Sequence, residues 1–191
     1  MMLQTATNHP SSGPSCIRSP TPARSPHVSK PERIEPEPDQ ESVWDYPRPP
    51  RLESISARVQ VWFDSTLVAD TTAALKVLET YHPPTFYLPP DDVFAASLRP
   101  NPATSFCEWK GVGSYFDVVA GSSRAEQAAW TYRDPTPSFA PLAGYISFYP
   151  GMVDCRVDNE RVEPQPGRFY GGWVTSAVSG PFKGSAGMDG W

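Results

Sequence analysis

The densest run of residues able to do chemistry is Phe106-Cys107-Glu108-Trp109-Lys110-Gly111-Val112-Gly113-Ser114-Tyr115-Phe116-Asp117. Cys107 offers a strong intrinsic nucleophile, provided a neighbour activates it. Lys110 stands between an aromatic and a glycine, so its amine can project into a pocket whose backbone stays open. On a strand, Cys107 and Trp109 share one face while Glu108 and Lys110 share the other. Proton transfer would fall to His82 or to Glu79, which closes the apolar stretch Leu75-Lys76-Val77-Leu78. Each of these residues also has a plain structural reading. Cys107 reads as a small buried apolar residue. Lys110 reads as a surface partner of Glu108 or Asp117, His82 as hydrogen-bonded scaffold ahead of Pro83-Pro84, and Glu79 as a solvated strand end. Tyr87, Tyr115, Trp130 and Tyr132 add rings with polar edges. With Trp109 and Lys110 they suit a concave site for a small polar or anionic ligand. The competing reading makes them the core of a domain poor in aliphatics.

Other chemistries lack their signatures. G-x-x-x-x-G-K-[ST], G-x-G-x-x-G, G-x-S-x-G and H-E-x-x-H do not occur. The histidines stand apart at 9, 27 and 82, and Cys16, Cys107 and Cys155 form no C-x-x-C, so no metal and no cofactor are expected. Asp91-Asp92 are adjacent, and on a helix they would point apart and complement the dipole at its start. The net charge is −5, from 16 basic and 21 acidic residues, which argues against nucleic acid as a partner. No apolar run is long enough to span a membrane and no secretory leader is apparent. A sparse, odd set of cysteines points to a reducing compartment, so the expected location is cytoplasmic. Residues 1–31 lack acids and carry Arg18, Arg24 and Lys30, a faint likeness to a mitochondrial presequence, but their prolines oppose the helix such a leader needs.

The elements that must position these side chains are short. Proline makes up 24 of 191 residues and apolar residues 39%, which excludes a helix bundle, since an interior proline costs a helix ~3 kcal/mol. Residues 1–41 contain no Phe, Trp or Tyr and are expected to form a disordered Pro/Ser-rich tail, with Ser19-Pro20, Thr21-Pro22 and Ser25-Pro26 as potential proline-directed phosphorylation sites. Residues 42–57, with Trp44 and Tyr46, read as an extended arm packed on the domain. Residues 58–163 read as a β-rich domain, and 164–191 as a Gly/aromatic C-terminal extension. Val59, Val61 and Phe63 alternate with polar or amphipathic positions and return through Asp64-Ser65-Thr66, a hairpin. Leu75–Glu79 and Thr85–Leu88 read as strands, as do Ser105–Lys110, Ser114–Ala120, Ala128–Tyr132 and Tyr145–Tyr149. Asp158-Asn159-Glu160 sits between two further strands. Pro90–Leu98 is the best helix, ended by Pro100 and Pro102. The expected fold is mainly β (α+β): one compact domain of short, coiled antiparallel strands with one or two short helices.

Several strings occur together and in order: Pro89-Pro90-Asp91-Asp92-Val93, Cys107-Glu108-Trp109-Lys110-Gly111, Ser114-Tyr115-Phe116-Asp117-Val118, Ala128-Ala129-Trp130-Thr131-Tyr132, Asp134-Pro135 and Tyr145-Ile146-Ser147-Phe148-Tyr149. This pattern resembles the domain of unknown function 427 family over roughly residues 58–163. The flanking arm and the segments Phe169–Trp173 and Gly180–Gly184 resemble its longer members. The resemblance implies a β-rich, intracellular protein and no established reaction. The nucleotidyltransferase-like label given to some members finds no D-x-D pair here, with Asp117 standing alone. The leading expectation is a small-molecule-binding domain lined by Tyr87, Trp109, Lys110, Tyr115, Trp130 and Tyr132. The alternatives are an enzyme using Lys110 or Cys107 with Glu79 or His82, and a protein-interaction module. The sequence leaves the oligomeric state open.

Overall fold

A computed structural model of the chain describes residues 31–167 and 169–188. In chain order the strands are β1 (Glu41–Ser42), β2 (Arg51–Ser54), β3 (Val59–Phe63), β4 (Thr66–Thr71), β5 (Leu75–Leu78) and β6 (Thr85–Tyr87). The long strands β7 (Leu98–Cys107), β8 (Gly111–Ala120) and β9 (Ser123–Tyr132) follow. The chain continues through β10 (Ile146–Phe148), β11 (Asp154–Val157), β12 (Glu160–Arg161), β13 (Glu163–Pro164), β14 (Trp173–Val174) and β15 (Val178–Ser179). Among the described residues every helical element is a 3₁₀ turn: Val43–Asp45, Pro90–Asp92, Ala95–Ser97 and Pro137–Leu142.

The β3–β4 hairpin forms because Val59, Val61, Val68 and Ala69 share a buried face, while Asp64 and Ser65 take φ of 46° and 61°. Asp158 and Asn159 do the same between β11 and β12, at 48° and 69°. Paired left-handed residues match the twist of a two-residue hairpin turn. β11 pairs with β3, giving a sheet of order β12-β11-β3-β4.

A second sheet has the order β10-β9-β8-β7, and a third β2-β5-β6. Leu88 and Ile146 exchange backbone hydrogen bonds of 2.8 and 2.9 Å, so the third sheet continues past β6 onto β10. β7 contains Pro100 and Pro102, which the sequence reading used as helix stops. β7 is an edge strand, where a missing N–H breaks no ladder, and the register with β8 slips between Asn101 and Thr104. Asp117 fixes the middle of this sheet from a fully buried position. Its carboxylate accepts hydrogen bonds from the Asn101 amide at 2.7 Å, the Gln127 backbone N–H at 2.8 Å and the Arg124 Nε at 2.9 Å. Burial works to raise its pKa, but these donors outweigh it and hold the carboxyl below the usual range.

The helix expected over Pro90–Leu98 is absent. Its two ends form single 3₁₀ turns, and between them Val93 and Phe94 are extended. Val93 bridges to Ala69, and Phe94 N–H donates to Val68 O at 2.9 Å. The backbone of β4 claims the segment that local propensity assigned to helix.

The main core joins Val59, Val61, Val68, Leu88, Phe148 and Trp173. Trp173 is fully buried, and its indole N–H donates to Phe148 O at 3.0 Å. It lies in the segment that the sequence reading set apart as an extension. Of the expected disordered tail, residues 1–30 lie outside the described residues. Residues 31–41 are held in place. Arg33 pairs with Asp45 at 2.7 Å, and Glu41 and Ser42 run parallel to Val178 and Ser179. In the arm, Tyr46 is buried and donates to Glu41 at 2.8 Å, while the Trp44 indole N–H donates to Pro181 O at 3.1 Å. Among the described residues no helix is long and apolar enough to cross a membrane.

Candidate functional site

A cleft of about 850 Å³ opens beside the aromatic face of the long sheet. β9 places Trp130 and Tyr132 on one face, two residues apart. In the ladder Tyr115 of β8 lies opposite Trp130, and Gly113 lies opposite Tyr132. Tyr87 arrives on β6, with its ring 6.2 Å from both Trp130 and Tyr132. Tyr149, just past β10, packs at 4.4 Å on Trp130. Burial pushes the phenols of Tyr87, Tyr132 and Tyr149 well above the usual tyrosine range, so they remain neutral. The Tyr115 hydroxyl donates to Ser105 Oγ at 3.0 Å. These rings belong to a buried apolar cluster and wall the cleft at the same time.

The three residues Glu108–Lys110 connect β7 to β8, and Gly111 closes the turn with φ of 93°. The strand alternation expected through Lys110 therefore stops at Cys107, and Trp109 and Lys110 both turn towards the cleft. Thr136 anchors the turn, donating its hydroxyl to Trp109 O at 2.5 Å and its N–H to Lys110 O at 3.3 Å. Lys110 is 8% exposed. Its ammonium sits 5.8 Å from the Tyr132 ring and 5.7 Å from the Phe139 ring. The surface pairs considered for it do not form, because Glu108 binds Arg48 at 2.8 Å and Asp117 binds Arg124. Among the described residues the Lys110 ammonium has no carboxylate or other hydrogen-bond acceptor.

His82 and Glu79 lie at the ends of one turn, in which His82 N–H donates to Glu79 O at 3.0 Å. Both line the cleft, as does the half-buried Cys107. Glu79 faces Arg48 at 3.7 Å. The His82 pKa is pushed down to about 4, first by burial and then by the positive charges of Lys183, Lys110 and Arg48.

The structure thus gathers every candidate residue of the sequence reading around one cleft. It adds residues that reading missed: Arg48 from the arm, and Gln165, Tyr170 and Lys183 from the C-terminal segment. Arg48 lies 5.6 Å over the Trp109 ring. One signal for the C-terminal wall was present in the sequence, the pair Gly171-Gly172. A Cβ on Gly171 would overlap the Trp130 ring, and one on Gly172 would meet Gln165 Oε1 and Pro83. Glycine pairs mark such close backbone approaches.

A family model described as a domain of unknown function (DUF427) matches residues 51–162. The chain belongs to this family. A comparison with curated proteins gave no match. Arg48 and the walls contributed by Gln165, Tyr170 and Lys183 lie outside the matched DUF427 region. Among the described residues no three His, Cys, Asp or Glu side chains gather as a metal site would require.

Proposed function

We propose that this DUF427 protein binds a small molecule in the aromatic cleft, with Lys110 as its charged anchor and Tyr87, Trp109, Tyr115, Trp130 and Tyr132 as its walls. One observation carries the reading: Lys110 is almost fully buried at the cleft wall and no acceptor among the described residues meets its ammonium. The charge is presented to the cleft, where a ligand anion can take the place of solvent and form a charge-assisted hydrogen bond. The neutral phenols and indoles supply both contact area and polar edges. The volume lies within the usual ligand-pocket range of roughly 300–1,000 Å³.

Catalysis by Cys107 or Lys110 draws less support. Neither hydrogen-bonds to an acid or base among the described residues, and nucleophilic catalysis needs that pairing. The free thiols of Cys107 and Cys155 accord with a reducing, cytoplasmic setting for the binding activity.

Thermal denaturation in the presence of a library of small polar and anionic compounds tests the proposal. A true ligand at a hundred times its Kd contributes about 2.7 kcal/mol, a rise of about 5–10 °C in Tm for a domain of this size. A library in which nothing raises Tm by a saturable amount contradicts it.

A further inference from the structure

We propose that the His82 end of the cleft is an oxyanion subsite, where a carboxylate or phosphoryl group of the ligand accepts the His82 Nε2–H and lies against the ammonium groups of Lys183 and Lys110. This rests on the binding reading above and names the ligand chemistry that the site selects.

The tautomer of His82 follows from its neighbours. Gln165 is 2% exposed, and its amide nitrogen lies 2.9 Å from Lys183 O and 3.0 Å from His82 Nδ1. A backbone carbonyl only accepts, so the atom facing Lys183 O must be the NH₂ group. The same NH₂ then donates to Nδ1, which must be unprotonated. The imidazole proton therefore sits on Nε2, and among the described residues Nε2–H has no partner.

The charges around it are unbalanced in one direction. Lys183 sits over the Tyr170 ring at 5.6 Å, and Lys110 sits between Tyr132 and Phe139. Neither meets a carboxylate among the described residues. Arg48, the third cation acting on His82, is already engaged by Glu79 and Glu108. The remaining acid of the cleft, Glu126, is exposed. His82 Nε2–H and both ammonium groups are donors only. Their complement is an acceptor-only anion, the chemistry shared by carboxylates and phosphates. Trp130 and Tyr149, packed 4.4 Å apart on the neighbouring wall with their planes tilted by 44°, suit an aromatic body attached to that anion.

The test uses the full chain and four probes: benzoate, phenyl phosphate, inorganic phosphate and the neutral benzyl alcohol. Binding is read from tryptophan fluorescence, since Trp109 and Trp130 line the cleft, and from the His82 imidazole resonance. Benzoate or phenyl phosphate is expected to bind saturably and at least tenfold more tightly than benzyl alcohol. The tighter of the two identifies the class of anion. Lys183→Met is expected to weaken the anions tenfold or more and to leave benzyl alcohol unchanged. A bound anion beside the imidazole favours its protonated form, so the His82 titration midpoint is expected to move upward with the anion present. That readout needs no variant. Equal binding of benzoate and benzyl alcohol, or a His82 midpoint indifferent to the anions, overturns the subsite while leaving the cleft a binding site. Failure of every probe to bind also overturns it, and the thermal screen then judges the binding reading by itself.

Discussion

Trp173→Ala is expected to lose about 3–5 kcal/mol in a urea unfolding titration, the cost of emptying a large buried aromatic site. Native domains hold only about 5–15 kcal/mol in total, so the variant should be marginal or unfolded at ordinary temperature. The indole is fully buried, packs 5.0 Å from the Phe86 ring, and satisfies Phe148 O. Trp173→Phe keeps most of the ring and leaves that carbonyl without its donor, which costs about 1–3 kcal/mol. The result bears on the domain boundary, because Trp173 lies beyond the matched family region at 51–162. A Trp173→Ala protein within about 1 kcal/mol of wild type would mean that the C-terminal segment decorates the fold without completing its core.

Acid should destabilise the protein through His82. Its native pKa is pushed down to about 4 by burial and by Lys183, Lys110 and Arg48, from an ordinary value of 6.5. Between those values the unfolded chain binds a proton that the native imidazole refuses. Stability therefore rises with pH across the window and falls on acidification. The penalty is absent above about pH 6.5, grows as pH drops, and reaches about 3 kcal/mol near and below pH 4. Unfolding titrations at several pH values read the free energy. NMR of the imidazole, assigned by loss of its signal in His82→Phe, reads the midpoint. A His82 midpoint near 6.5 in the native protein would contradict the burial and charge environment described here.

Local pattern made part of this architecture legible. The β3–β4 hairpin follows from alternating Val59 and Val61 and from a turn pair able to take positive φ. The aromatic wall follows from the spacing of Trp130 and Tyr132 on a strand, because period-two geometry sends both to one face. What local pattern could not carry was tertiary. Pro90–Leu98 has the composition of a helix start, yet β4 captures Val93 and Phe94 as an extended segment. Pro100 and Pro102 look like breakers and instead occupy an edge strand, a position that only the sheet order defines. Strand alternation places Lys110 on the face of Glu108, and the turn closed by Gly111 brings it to the cleft instead. Arg48, Gln165 and Lys183 are remote in sequence from the aromatic cluster. No periodicity links them to it, and the glycine pair beside Trp130 is a local trace of the C-terminal wall alone.

The most direct test of the binding cleft is Lys110→Met, compared with wild type for ligand-induced Tm shift and for urea stability in the same preparations. Methionine keeps the stem's volume and removes an ammonium that has no acceptor among the described residues. It forfeits cation–π contacts with Tyr132 and Phe139, worth about 0.5–2 kcal/mol, and gains an apolar tail packed against the same two rings. The two changes oppose each other, so stability should stay within about 1 kcal/mol of wild type. The predicted result is a folded protein whose stability is nearly unchanged and whose Tm no longer responds to the ligands that stabilise the wild type. A Lys110→Met protein that loses stability yet keeps the full ligand response would contradict the account, and would make Lys110 a part of the scaffold.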